Sequence, residues 1–167
     1  MVQILPAGVP VLGVPLPHEF GGGAKQPRSC AQLVAAGLVA PADDPWCFFD
    51  LPRHAGERGI ATWLGSHGVE VRSVGVDSRP TPDAVIDAAG VTVEFKTIDP
   101  DVADPASAVY QRIRQARKQS PLVVVDVRGT AATRTDVNRA MVAALRRGGR
   151  DLHEVAVVGD GFVVSWP

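Results

Sequence analysis

The feature that most constrains the fold is a run of apolar, mostly β-branched residues at positions 122–127, Leu-Val-Val-Val-Asp-Val. Apart from Asp126, this run has no polar side chain to turn toward water, which is typical of a strand buried on both faces. Amphipathic patterns predict a helix on each side of it, over 105–119 and 135–147. The sequence therefore predicts an α/β domain whose central mixed β-sheet is flanked by helices.

The ends of these elements carry their own signals. Asp104 and Pro105 form a good N-cap and first-turn pair for the first helix. Gly148 is the expected stop of the second helix. The apolar faces are Val109, Ile113 and Ala116 on the first helix, and Val137, Met141, Ala144 and Leu145 on the second. Two final strands are predicted over 154–158 and 162–166, joined by a glycine-containing turn.

A hairpin is predicted upstream, where residues 91–97 alternate between apolar and polar side chains. This period of two places Glu94 and Lys96 on the same face of a strand. A second short strand is predicted over 83–87, and residues 88–90, which end in glycine, suit a three-residue turn. Such a hairpin brings Asp83 close to Glu94.

Two carboxylates and an amine in this arrangement suit metal-dependent cleavage of phosphodiester bonds. Asp83 and Glu94 can hold Mg²⁺ through oxygen ligands, with Mn²⁺ or Zn²⁺ as alternatives. Such an ion polarises the phosphate and acidifies water. Lys96 can orient the attacking water or offset charge in the transition state.

Pro82-Asp83 together with Glu94-Phe95-Lys96 resembles the PD-(D/E)xK motif of the restriction-endonuclease-like nuclease superfamily. Residues 56–64 resemble the first helix of that superfamily, where a glutamate completes the acidic cluster. The resemblance implies a restriction-endonuclease-like core over 51–167, with Glu57, Asp83 and Glu94 as metal ligands and Lys96 as a further catalytic residue. For Glu57 the alternative is a first-turn glutamate stabilised only by the helix dipole.

Within the superfamily, the layout from Glu57 onward is most similar to the tRNA-cleaving C-terminal toxin domains of contact-dependent growth inhibition systems and related bacterial polymorphic toxins. This resemblance implies tRNA as the favoured substrate and a cognate acidic immunity protein as a partner. It also implies action in the cytoplasm of a producing or target bacterium, with delivery as part of a larger secreted polypeptide as one route.

Two other functions remain open. Holliday junction resolvases share the early glutamate, a strand like residues 68–71 and the paired acids, so a DNA endonuclease of repair or recombination is the first alternative. A non-catalytic nuclease-fold module that binds nucleic acid or another protein is the second.

Positive charge is concentrated in residues 101–150, which carry ten Lys or Arg against four Asp, although the net charge of the chain is −1. A basic surface of this kind can follow a phosphate backbone. Arg112 and Lys118 are the predicted substrate contacts. The histidines show no metal-ligand spacing, and only His54, three residues before Glu57, is placed to reach the site.

Residues 1–50 are predicted to form an irregular arm, because prolines and glycines are frequent there. A short helix over 31–39 is the one regular element expected in the arm. Aromatic residues near its end are expected to anchor it on the core: Trp46, Phe48 and Phe49. Cys30 and Cys47 are predicted to be either two free thiols or one disulfide. The first twenty residues lack both a basic leader and an apolar run, so no membrane association is expected.

Overall fold

The computed structural model describes residues 27–148 and 151–167, in which helices cover a six-stranded mixed sheet. The elements in chain order are α1 Cys30–Ala35, α2 Ala55–Ser66, β1 Arg72–Ser73, β2 Ala84–Ile86, β3 Val91–Thr97, α3 Pro105–Ala116, β4 Leu122–Asp126, α4 Arg134–Arg146, β5 Glu154–Gly159 and β6 Phe162–Trp166. The predicted α/β fold with a central mixed sheet is confirmed. Within the described residues, no helix is both long and apolar enough to cross a membrane.

The strands lie side by side in the order in which they occur in the sequence, β1 to β6. The pairs β1–β2, β2–β3 and β5–β6 are antiparallel, whereas β3–β4 and β4–β5 are parallel. Helices α3 and α4 supply the two crossovers that parallel neighbours require. As a result, β3 and β4 lie in the middle of the sheet, and β3 carries the predicted acid and lysine.

Helices cover both faces of the centre of the sheet, so β4 is buried along its whole length. On one face, α2 packs through Ile60, Ala61 and Leu64. On the other face, α3 and α4 pack over Val123 and Val125. The composition of this strand predicted that neither face is exposed to solvent, and this prediction is confirmed. Burial on both faces explains why the strand consists mainly of β-branched residues.

The helix boundaries agree closely with the capping signals. Asp104 caps α3 by accepting a hydrogen bond from the Ser107 backbone N–H at 3.1 Å. This helix ends at Ala116, earlier than the predicted residue 119, and the chain continues through a turn. Helix α4 begins one residue before the predicted 135, because Thr133 and Asp136 cap each other's backbone in a capping box.

The predicted strand at 68–71 is wrong in its position. Gly68 has a left-handed φ of 80° and belongs to the turn that closes α2, where the Val69 N–H donates to the Leu64 carbonyl at 2.9 Å. Val69 and Val71 are nevertheless buried in the core. The residues that pair with β2 follow at Arg72 and Ser73. The apolar pattern at 68–71 therefore indicated burial and not sheet pairing.

The predicted hairpin is confirmed, although β2 begins at Ala84 rather than Asp83. Its turn is a single 3₁₀ turn at Asp87–Ala89, followed by Gly90 with φ 63°. Asp87 receives two hydrogen bonds from the Arg72 guanidinium, at 2.6 and 2.7 Å, and this pair ties the turn to β1.

Residues 27–50 of the predicted arm pack against the same sheet. In α1, which covers part of the predicted 31–39 helix, Leu33 is completely buried against Val74 and Val85. Phe49 is buried beside Phe95, with ring centroids 6.1 Å apart. Trp46 is partly buried against the same core, but Phe48 is 38% exposed, and Cys30 and Cys47 are free. The prolines and glycines before residue 27 lie outside the described residues, and the division at residue 50 stays a prediction.

We expect Leu33→Ala to destabilise the folded chain by about 2–5 kcal/mol, because it leaves a cavity over Val74 and Val85. Val34→Ala on the same helix is the control, since Val34 is 53% exposed and its loss should change stability by less than about 0.5 kcal/mol. Urea unfolding of the three proteins measures both effects. Equal stability of Leu33→Ala and the parent would show that α1 is not part of the cooperative core.

Candidate functional site

Strand β3 and the hairpin bring Asp83, Glu94 and Lys96 together, as predicted. Glu94 pairs with Val123 and Lys96 with Val125, which places both polar side chains on the α3 side of the sheet. Asp83 immediately precedes β2, whose register joins Ala84 to Val93. The Asp83 Oδ2 atom accepts a hydrogen bond from the Phe95 N–H at 2.8 Å, which fixes this carboxyl beside β3.

Lys96 is held between Glu94 and a residue that the sequence reasoning missed. Its Nζ donates to Glu94 Oε1 at 2.5 Å and to Gln119 Oε1 at 3.5 Å. The Gln119 amide in turn donates to the Thr81 carbonyl at 3.4 Å. Gln119 therefore links the turn after α3 to the loop before Asp83. In the sequence, only its position just before a buried strand indicated that it could reach the site.

Glu94 is fully buried, and among the described residues no N–H or hydroxyl group donates a hydrogen bond to its second oxygen, Oε2. Its neighbour there is the Asp83 carboxyl, and the two acids share a hydrogen bond only while one of them is protonated. A buried carboxylate oxygen without a partner is energetically unfavourable. A divalent cation is a suitable partner, because Mg²⁺ and related hard ions bind carboxylate oxygens. The residues present thus fit an ion held by Glu94 with Asp83.

Burial raises the pKa of both carboxyls. The pKa of Glu94 is raised to about 8, first by burial and then by the charge of Asp83, while Lys96 opposes the rise. The pKa of Asp83 is raised to about 6 by burial, against the Phe95 N–H and Lys96, with Glu57 adding to the rise. A cation bound beside these two acids would offset their unfavourable negative charge.

These shifts predict that the metal-free chain loses stability as the pH rises. The ordinary pKa values are 3.8 for Asp and 4.5 for Glu, both below the folded values of about 6 and about 8. Between the ordinary and the folded pKa values, the folded state therefore binds more protons than the unfolded state. The stability present below the ordinary pKa values is lost as the pH rises through the folded pKa values. We expect the unfolding free energy in EDTA to fall between about pH 4 and pH 8.

Denaturant unfolding at half-unit pH steps measures this slope, and Glu94→Gln is its control. The variant removes the group with the higher pKa, so its stability should fall less between pH 6 and pH 8 than that of the parent. Parallel profiles for the two proteins would contradict the assignment of a raised pKa to Glu94.

Glu57 lies close to this group without joining it in one cluster. Its charge raises the pKa of Asp83, and its Oε1 lies 3.4 Å from His54 Nδ1. In the part of the chain that the structure describes, no three His, Cys, Asp or Glu side chains are arranged to hold one metal ion. Glu57 therefore stays a predicted ligand, and its observed partner is His54.

A cleft of about 570 Å³ opens beside these residues. Asp83, Gln119 and His54 line it, and so do the cationic side chains Arg53 and Arg79. Neither arginine was singled out from the sequence, since only the fold brings their two loops together. Asp77 is the second acid on the lining, and the two arginines there suit an anionic substrate.

The predicted substrate contacts Arg112 and Lys118 lie outside this cleft. Both side chains are exposed. Arg112 donates to Gln115 on its own helix at 3.3 Å. Lys118 directly precedes Gln119 and thus lies nearer to the site than Arg112 along the chain. Their contact with substrate stays a prediction.

The first turn of α2 approaches the end of β3 so closely that it requires a glycine. A Cβ atom on Gly56 would lie 2.2 Å from the Thr97 Oγ1 atom. We expect Gly56→Ala to destabilise the chain by about 1–3 kcal/mol. We also expect it to reduce activity, because Glu57 is carried by the same turn.

Gly65→Ala in the same helix is the matched control. Nothing lies within 4 Å of its added Cβ, so we expect a gain of about 0.5–1 kcal/mol. Adding Thr97→Ala to Gly56→Ala should recover part of the loss. Thermal unfolding of these variants measures the changes in stability. If both glycine substitutions change stability in the same direction, the close approach at Gly56 is refuted.

One comparison with known protein families gives a match. Residues 79–163, just over half of the chain, match the family model of the contact-dependent growth inhibition CdiA C-terminal domain. The chain belongs to this family. Membership indicates a contact-dependent growth inhibition toxin, and such toxin domains are paired with immunity proteins. The matched segment contains Asp83, Glu94, Lys96 and Gln119, whereas Glu57 precedes it. No curated protein and no solved structure matches the chain.

Proposed function

We propose that this chain is the metal-dependent nuclease domain of a contact-dependent growth inhibition toxin, with tRNA as its favoured substrate. The observation that carries the proposal is the buried pair Asp83 and Glu94 with Lys96 at hydrogen-bond distance, next to an open cleft. The PD-(D/E)xK pattern of these residues and the family membership support it.

Asp83 and Glu94 would hold the divalent ion, most simply Mg²⁺, with Mn²⁺ or Zn²⁺ as alternatives. A bound ion supplies positive charge to the reacting phosphate and lowers the pKa of water. Lys96 favours the ionised form of both acids, which is the form that binds a cation. Its ammonium would orient water and offset charge on the phosphate in the transition state.

The remaining residues of the cleft have supporting roles in this proposal. Gln119 keeps Lys96 aligned with Glu94, and Arg53 and Arg79 attract the phosphate backbone. Glu57 places a further negative charge near Asp83, in reach of His54. An acidic immunity protein that covers these cations would block the cleft, and opposite charges would accelerate its association at low salt.

In this proposal the domain is carried by a larger secreted polypeptide and acts in the cytoplasm of a target bacterium. Expression of the domain alone in a bacterial cytosol should arrest growth, and Glu94→Gln should restore it. Co-expression of the immunity protein should restore growth without altering the domain.

The proposed reaction is tested by incubating the purified chain with total tRNA and, separately, with supercoiled plasmid. Each reaction contains Mg²⁺, Mn²⁺ or Zn²⁺, and a parallel set contains EDTA. Cleavage of tRNA that EDTA abolishes supports the proposal. Cleavage of plasmid alone would favour the DNA endonuclease, and no cleavage under any condition would favour a non-catalytic binding module.

A further inference from the structure

A group of arginines meets at the phenol of Tyr110, where α3 and α4 pack together. The Arg114 Nη1 atom lies 3.3 Å from the Tyr110 Oη atom, and the Arg147 Nη1 atom lies 3.5 Å from it. The Arg114 guanidinium also lies 5.7 Å from the centre of the Tyr110 ring. Two cations, one on α3 and one at the C-cap of α4, thus converge on one oxygen atom.

These charges are not balanced by acids. Among the described residues, no carboxylate lies within 4.0 Å of the Arg114 or Arg147 guanidinium. The Nε–H of Arg114 is buried and has no hydrogen-bond partner in the described part of the chain. Like charges repel, and a buried donor without a partner is unfavourable. A bound anion would therefore stabilise this arrangement.

Stabilisation of helix ends does not account for this group. Arginines near a helix C-terminus commonly donate to its free carbonyls. Arg117 does so, because its Nη1 donates to the Gly148 carbonyl at 2.8 Å. Arg114 and Arg147 are instead directed at the phenol. The Arg117 contact holds the end of α4 against α3 and so fixes Arg147 beside Tyr110.

We propose that Tyr110, Arg114 and Arg147 form a second phosphate-binding site, which holds a phosphodiester of the nucleic-acid strand whose cleavage takes place at Asp83 and Glu94. The inference rests on the proposed nuclease function. Two guanidinium groups provide paired donors of the kind that bind phosphate oxygens, and the phenol provides a further O–H donor.

Helix α3 connects this site to the catalytic group. Arg114 precedes Gln119 by five residues, and Gln119 contacts Lys96. A strand that occupies both sites would be fixed at two phosphates, which determines which of its bonds lies in the cleft beside Asp83. The second site therefore contributes to the position of cleavage as well as to affinity.

Tyr110 is the only tyrosine in the chain, so its ionisation can be followed directly by absorbance near 295 nm. The hydrogen bond from Arg147 and then that from Arg114 lower the pKa of this phenol. A phosphate bound between the arginines offsets their positive charge and accepts a hydrogen bond from the phenolic O–H, so it favours the neutral phenol. Binding at this site is therefore expected to raise the pKa of Tyr110.

The experiment uses the full chain carrying Glu94→Gln, in EDTA, so that cleavage does not interfere. Tyrosine absorbance is titrated against pH alone, with inorganic phosphate and with a short RNA oligonucleotide. RNA affinity is then measured over a range of salt for Arg147→Gln and for Arg139→Gln. The latter removes the same charge from an exposed position in α4, the helix that Arg147 caps.

We expect RNA to raise the pKa of Tyr110. We also expect Arg147→Gln to weaken RNA binding about tenfold and to reduce the salt slope by about one, with a clearly smaller effect for Arg139→Gln. A shift with inorganic phosphate but not with RNA would overturn the assignment to a strand. No shift with either probe, or equal effects of the two substitutions, would overturn the site itself.

These readouts are independent of cleavage. A chain that cuts tRNA but shows no Tyr110 shift refutes this inference alone. A chain that cuts nothing but shows the shift with RNA refutes the nuclease proposal and leaves a nucleic-acid binding site.

Discussion

Glu94→Gln is expected to reduce cleavage of tRNA on the order of 10³-fold while the chain remains folded. Glutamine keeps the shape of the side chain but removes the negative charge that binds the ion. It also removes the repulsion between Glu94 and Asp83, so the metal-free variant should be at least as stable as the parent at pH 8. Initial cleavage rates and denaturant unfolding measure the two effects.

Glu154→Gln is the matched control for this substitution. Glu154 also lies on a strand and its pKa is also raised by burial, but β4 separates its strand from β3. We expect this control to cleave at the parent rate. If Glu94→Gln retains the parent rate as well, the assignment of the metal ligands is wrong.

Lys96→Met is expected to lower turnover about 10²–10³-fold near neutral pH. Part of that loss should be recovered as the pH rises, because Lys96 lowers the pKa of both Asp83 and Glu94. Without the ammonium, the two acids stay protonated to higher pH and compete less well for the ion. The pH dependence of kcat and the Mg²⁺ affinity at pH 7 and pH 9 measure this effect.

Lys118→Met removes the same charge from an exposed position two residues beyond α3. If Lys118 contacts substrate, its loss should raise KM and leave kcat and the pH profile unchanged. A Lys96→Met variant that behaved in this way would show that Lys96 serves only in binding.

Periodic patterns made most of the core predictable from the sequence. The alternation in β3 placed Glu94 and Lys96 on one face, and the composition of β4 indicated burial on both faces. Capping residues such as Asp104 located the start of α3 to within one residue. Such signals are local, since each depends on the period of one element or on one backbone group.

Features that depend on contacts between distant segments were not predictable in this way. Gln119 reaches Lys96 only because α3 ends early and the chain turns back toward the sheet. Arg53 and Arg79 line the same cleft although they come from separate segments of the chain. The pairing at Arg72 was missed, because Val69 and Val71 show the burial of a strand without its hydrogen bonds.

The order of the strands has a consequence for how the domain is assembled. Each strand in the described sheet pairs only with strands that precede and follow it in the sequence. No strand must therefore wait for a remote segment, because each connection closes onto the strand that precedes it in the sequence, which lowers the entropic barrier to pairing. A chain that enters a compartment unfolded and one end first could add its strands one at a time. The last strand to arrive would complete the sheet without displacing any strand already in place.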